Sequence, residues 1–166
     1  MRILGIDPGT ATTGYAVIEM EGLTPVLKEA SAFLTPADLE LSDRLLMLYD
    51  MLNRKIDELE PETIVIERIF FNTNTKTAIA VGQARGVLLL IAAQKKLKVH
   101  EYTALQAKLV VSGYGRSKKK EMQEAVKNYF NLEKIIKPDD ASDAVAMALC
   151  HIHKEIIKDG RGSKKD

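Results

Sequence analysis

The chain has 166 residues, 46% of them hydrophobic and 28% charged, which suits one domain and excludes wholesale disorder. Its only cysteine, Cys150, excludes a disulfide framework and a cysteine-based zinc site and favours a reducing compartment. The net charge of +1 conceals an acidic first sixty residues (5 Lys+Arg against 11 Asp+Glu) and a basic remainder (19 against 12), an asymmetry that can mark a polyanion-binding face.

Arg2–Asp7 and Gly14–Met20 are apolar and partly β-branched, and Val26–Leu34 alternates less cleanly, so all three read as strands. The turn signals Asp7-Pro8-Gly9-Thr10 and Glu21-Gly22 between them suit antiparallel neighbours. A helix is expected from Leu41, with Ser42 as N-cap and Leu45, Leu48, Leu52, Ile56 and Leu59 on one face, ending at Pro61. Thr63–Glu67 reads as a short buried strand that ends in a carboxylate. Thr75–Lys96 reads as a long helix whose internal Gly82 and Gly86 imply close packing against another backbone. A strand over Leu97–Tyr102, a helix over Ala104–Val111, a loop at Gly113-Tyr114-Gly115 and helices over Lys118–Phe130 and Ala141–Ile157 complete the pattern. The expectation is an α/β fold: a mixed sheet with helices on its faces, in a single domain over 1–158, with a disordered polar tail over 159–166. The longest apolar run, Val87–Ala93, is far short of the ~20 residues of a membrane span. The N-terminus has no signal-peptide layout, so a cytoplasmic location is expected.

Asp7 and Glu67 both follow runs of buried-type strand residues, where a carboxylate is costly unless a cation meets it. Open α/β sheets place ligands beyond their strand ends. Asp139, Asp140 and Asp143 lie near the start of the final helix, where spacing lets either Asp140 or Asp139 share a side with Asp143. Acids at a helix N-terminus also complement the helix dipole, and Asp139 suits that role. Carboxylates crowded together repel one another unless hard divalent cations sit between them, which suits Mg²⁺ or Mn²⁺. Two such ions ~4 Å apart can clamp the attacking and leaving oxygens of a phosphodiester.

The blocks Ile3-Leu4-Gly5-Ile6-Asp7-Pro8-Gly9-Thr10, Thr13-Gly14-Tyr15, Ile66-Glu67-Arg68-Ile69-Phe70, Val81-Gly82-Gln83-Ala84-Arg85-Gly86-Val87, Glu101-Tyr102 and Asp140-Ala141-Ser142-Asp143-Ala144-Val145-Ala146 resemble bacterial Holliday-junction resolvases of the RuvC type, in that family's order and spacing, from Arg2 to about His153. The resemblance implies an RNase H-like fold with a five-stranded mixed sheet. It implies a metal-dependent crossover junction endodeoxyribonuclease that acts as a homodimer in recombination and repair. Paired symmetric nicks, two Mg²⁺ per site with Mn²⁺ as substitute, and a branch-migration helicase partner are implied in the same way. Matched position by position, the catalytic and metal-binding set falls on Asp7, Glu67, Asp140 and Asp143, selecting Asp140 over Asp139. Phe70 is implied to contact or wedge the junction, and part of the 75–96 helix to support the dimer.

Ala104–Lys120 contains no acid, and its Lys108, Arg116, Lys118, Lys119 and Lys120 are expected to meet phosphates and make binding salt-sensitive. The family's two DNA-binding lysines fall on Lys108 and Lys119, with Lys118 and Lys120 as competing neighbours. His100, His151 and His153 read as packing residues, and Cys150 as a small buried hydrophobe. Two other readings bear weighing. The Asp-Pro-Gly-Thr loop also resembles the first phosphate loop of actin-like or sugar-kinase-like ATPases, which need a second related domain that 166 residues cannot hold. A non-catalytic junction-binding relative is opposed by the occupation of all four acidic positions.

Overall fold

Alternation along two strands decides which side chains the sheet presents to each layer of helices. In the computed structural model, which describes residues 1–68 and 75–157, β1 (Arg2–Asp7), β2 (Thr12–Glu21), β3 (Thr24–Leu34), β4 (Thr63–Glu67) and β5 (Lys98–Tyr102) form one sheet in the order β3-β2-β1-β4-β5. β1–β2 and β2–β3 are antiparallel, whereas β1–β4 and β4–β5 are parallel. Residues of one parity, including Leu4, Ile6, Ile64 and Ile66, pack against α1 (Leu41–Leu59) and α2 (Thr75–Gln94) through Leu48, Leu52, Ile56, Leu88 and Ile91. Residues of the other parity, Ile3 and Val65 among them, pack against α5 (Asp139–His151), which α3 (Ala104–Ser112) and α4 (Lys119–Tyr129) flank. The chain continues from α5 as a π-helical turn, Ile152–Ile157.

The element order matches the sequence expectation closely, and the differences have local causes. Glu40, not Ser42, caps α1, without a side-chain hydrogen bond; the helix stops one residue before Pro61, with Glu60 in the left-handed conformation. The final helix begins at Asp139 rather than Ala141, so Pro138 is the cap and both Asp139 and Asp140 lie in the first turn. Within the chain, Gly82 and Gly86 pack against no other backbone among the described residues, since a Cβ built at either would have nothing within 4 Å. Close approach occurs on the sheet instead. A Cβ on Gly5 would lie 2.1 Å from the Ala144 carbonyl oxygen, and one on Gly14 2.0 Å from that of Asp140. The two glycines thus let α5 rest backbone-on-backbone over β1 and β2, with small alanines completing the seam. Among the described residues, no helix is long and apolar enough to cross a membrane. The expected tail 159–166 lies outside the described residues.

Candidate active site

Asp7 has the parity of Ile3 and Gly5, and Glu67 that of Val65, so both carboxylates emerge on the α5 face. The register Ile6↔Ile66 brings the two strand ends level. The Asp7 and Glu67 side chains share a hydrogen bond, which requires a proton on one of them. Burial, then the charges of Glu67 and Asp143, push the Asp7 carboxyl up to about 8. Burial also raises Glu67, with Asp143 adding to the effect, while the bond from Asp7 and the Lys108 ammonium oppose it.

The glycine seam sets the third and fourth acids. Because Gly14 lies against the Asp140 carbonyl and Gly5 against that of Ala144, the first turns of α5 are held over the end of β1. Asp143 projects into a cavity of about 160 Å³ that Glu67, Ala107, Lys108, Lys119 and Met147 also line. Burial raises its pKa; Lys119 opposes this, and Asp140 and Asp139 reinforce it. One carboxylate oxygen of Asp143, Oδ1, is buried with no hydrogen-bond partner. Asp140 adds to the repulsion felt by Asp7 and Asp143 and borders an adjoining hollow formed with Gly9, Thr10 and Thr12. Asp139 is engaged elsewhere: its oxygens lie 2.6 Å from the Lys137 ammonium and 3.4 Å from that of Lys119, and the bond from Lys137 above all holds its carboxyl down at about 2.

The donor set is entirely hard oxygen, and one of its buried oxygens lacks a partner. These features fit divalent cations held by Asp7, Glu67, Asp140 and Asp143. Among the described residues no three acidic, His or Cys side chains already stand in an arrangement that holds an ion.

The basic residues separate into two sets. Lys108 and Lys119 line the carboxylate cavity, and the Lys119 ammonium stands 3.6 Å from Asp143. Burial works against the Lys119 charge, but Asp143 and Asp139 outweigh it and raise its pKa. Lys118 and Lys120 border a different groove, with Tyr114 and Ser117, and Arg116 is exposed on the loop between α3 and α4. Phe70 lies outside the described residues. His151 is buried, with Nδ1 3.1 Å from the Tyr102 hydroxyl; the His100 ring lies against it, centroids 4.2 Å apart and tilted by 42°, and Cys150 is fully buried. Residue-type reasoning passed over Gly5 and Gly14 as parts of the site. Their signal was available in parity, since Gly5 lies two residues before Asp7 on the same face.

A family model described as "Crossover junction endodeoxyribonuclease RuvC" matches residues 3–151. The Desulfitobacterium hafniense protein of that name is 52% identical over 155 residues, covering 92% of this chain and 93% of its own length. The Alkaliphilus oremlandii protein is 48% identical over 153 residues, with the same coverage. Among solved structures, Thermus thermophilus RuvC superposes with a TM-score of 0.82 at 27% identity, covering 91% of this chain and 93% of that one. The same protein in complex with Holliday junction substrate gives 0.84 at 28% identity, covering 91% and 92%. The five-stranded mixed sheet with flanking helices is thus the RNase H-like fold, and the chain belongs to the RuvC family of crossover junction endodeoxyribonucleases.

Proposed function

We propose that residues 1–158 form one nuclease domain that resolves four-way DNA junctions by paired symmetric nicks. It does so as a homodimer, using two Mg²⁺ ions, or Mn²⁺ in their place, held by Asp7, Glu67, Asp140 and Asp143. The observation that carries this reading is the convergence of acids from β1, β4 and α5 on one edge of the sheet, with one buried Asp143 oxygen left unpartnered. Divalent cations at such a site supply charge stabilisation to the attacking and departing oxygens of a phosphodiester. The protein's part is to hold the acids on rigid strand and helix ends and to place Lys108 and Lys119 at the same cavity, where they steer and orient the scissile phosphate. Between the neighbouring lysines, position favours Lys119 for that role. Arg116, Lys118 and Lys120 extend the positive surface towards a duplex arm, and Phe70 meets the junction centre. The expected cellular setting is cytoplasmic, alongside branch-migration proteins.

A nicking assay on a synthetic four-way junction, with and without Mg²⁺, tests the reading. Symmetric nicks on opposing strands are expected only with the metal, and Glu67→Gln should bind junctions normally but not cut them. Metal-independent binding without cleavage would instead assign a non-catalytic junction binder. Changing Lys118 and Lys120 together to Gln should lower the slope of log K against log salt by about 1–2, as each lost phosphate contact removes roughly 0.9. An unchanged slope places that groove away from DNA.

For the dimer, the support is a stripe on α2 that has no partner among the described residues. Ile79 is 64% exposed and Leu90 54%, and a Cβ at Gly82 or Gly86 between them would meet no described neighbour within 4 Å. An apolar stripe with glycines at its centre suits a second helix at close range. Ile79→Arg is expected to convert the dimer to monomer in sedimentation without lowering the melting temperature of the monomer. A variant that remains dimeric would remove α2 from the interface.

A further inference from the structure

The end of β4, which delivers Glu67, is held on one side only. The pairing of β4 with β1 stops at Ile6↔Ile66, whereas its pairing with β5 continues to Glu67↔Tyr102, and the backbone N–H of Arg68 donates to the Tyr102 carbonyl at 2.7 Å. The backbone that places Glu67 beside Asp7 therefore depends on the β5 side.

On the opposite face of the sheet from Glu67, level with Ile66, lies Glu101 of β5. Tyr102 packs towards α5, so its neighbour Glu101 faces the α2 layer, as Arg68 does after Glu67. One Glu101 oxygen accepts a hydrogen bond from Nη2 of Arg85 on α2, and the other lies 3.5 Å from Nε of Arg68. The Glu101 and Arg85 side chains are 23% and 28% exposed, so the pair is only partly screened by water. Nε of Arg85 is buried without a partner, so Arg85 is not placed there to maximise its own hydrogen bonding. A partly buried ion pair of this kind contributes little net stability, and the contact to Arg68, whose side chain is 55% exposed, contributes less; together the two contacts fix a local geometry. Here the geometry is that of the residue following Glu67.

We propose that Glu101 is a positioning residue for the nuclease centre: by gripping Arg68 while anchored to Arg85, it fixes the end of β4 and so holds the Glu67 carboxylate beside Asp7. The inference rests on the nuclease reading for its consequence but not for its geometry, and two measurements separate them. The first is amide hydrogen exchange in the metal-free protein. In Glu101→Gln and in Arg68→Gln, protection of the Arg68 amide should fall about tenfold while amides in the middle of β1 keep theirs. The second is single-turnover cleavage of a four-way junction at saturating protein. Each variant should cut about tenfold more slowly, with junction Kd within twofold of the wild type, and the double variant should be no slower than either single one. Unchanged Arg68 protection, or a uniform loss across the sheet, overturns the proposal. So does a cleavage rate within twofold of the wild type. Weaker junction binding with a smaller salt slope in Arg68→Gln also overturns it, by making Arg68 a phosphate contact. Failure of the wild-type protein to cut removes the nuclease reading instead and leaves the exchange result to decide the clamp.

Discussion

Asp7→Asn is expected to abolish junction cleavage while stabilising the metal-free protein, two effects that a merely structural acid could not combine. Loss of cleavage should reach on the order of a thousandfold or more, as for other groups that act as a unit in the transition state. The stability effect follows from proton linkage. The Asp7 carboxyl titrates near 3.8 in an unfolded chain and at about 8 in the fold, so the native state binds the extra proton between those values. The stability associated with that proton is fully present below pH 4 and is lost as the pH rises through 8. Glu67 and Asp143 are shifted in the same direction and steepen the trend. In the presence of a chelator the wild-type melting temperature should therefore fall between pH 5 and pH 9, and Asp7→Asn should flatten the fall. At pH 8 the variant should gain on the order of 1–3 kcal/mol, or several degrees for a chain of this size. Added Mg²⁺ should restore wild-type stability at that pH, because an ion bound only by the native state stabilises it. Thermal melts across pH, with and without metal, check all three effects. A wild-type curve with no pH slope would mean the acids are not crowded in solution.

Gly14→Ala is expected to be the most damaging substitution outside the acids. The added Cβ would lie 2.0 Å from the Asp140 carbonyl oxygen and 2.8 Å from the Ala141 nitrogen, both backbone atoms that cannot rotate aside. The helix must lift from the sheet, at a cost of roughly 2–4 kcal/mol by analogy with overpacked cores. Because the displaced turn carries Asp140 and leads to Asp143, a shift of about 1 Å should reduce cleavage on the order of a hundredfold even in molecules that stay folded. Gly82→Ala is the matched control: it meets nothing within 4 Å and sits in a helix interior, so the monomer should gain about 0.5–1 kcal/mol. Chemical denaturation of the two variants and single-turnover cleavage by Gly14→Ala decide the matter. Equal stability of both would place α5 further from the sheet than the glycine contacts imply.

The contrast between these two glycines shows what a sequence discloses and what it withholds. Both kinds occur within recognisable blocks, and residue type alone assigns them the same use. Parity could have separated them, since a glycine two residues from a strand-end acid must face the same layer as that acid. The helical glycines had no such signal, because whether a helix face meets another element depends on where the whole helix lies. The lysines behave similarly. Lys118, Lys119 and Lys120 are adjacent in the chain, but the first turn of α4 points only Lys119 at the carboxylate cavity and turns its neighbours to another groove.

The order of strands and helices, the placement of Asp7 and Glu67 at strand ends and the acidic start of the last helix were all determined by the sequence alone. They follow from local rules: alternation within a strand, the 3.6-residue repeat of a helix, and the turns that Pro and Gly enforce. Tertiary structure decided which acids meet. It set Asp139 aside to pair with Lys137 and Lys119, brought Asp7 against Glu67 in a buried setting that raises both carboxyls, and tied Arg68 to Glu101 on the other face of the sheet. Those outcomes depend on distances between segments up to 136 residues apart in the chain, as Asp7 and Asp143 are. Coulomb repulsion and desolvation act through space, so no local pattern encodes them.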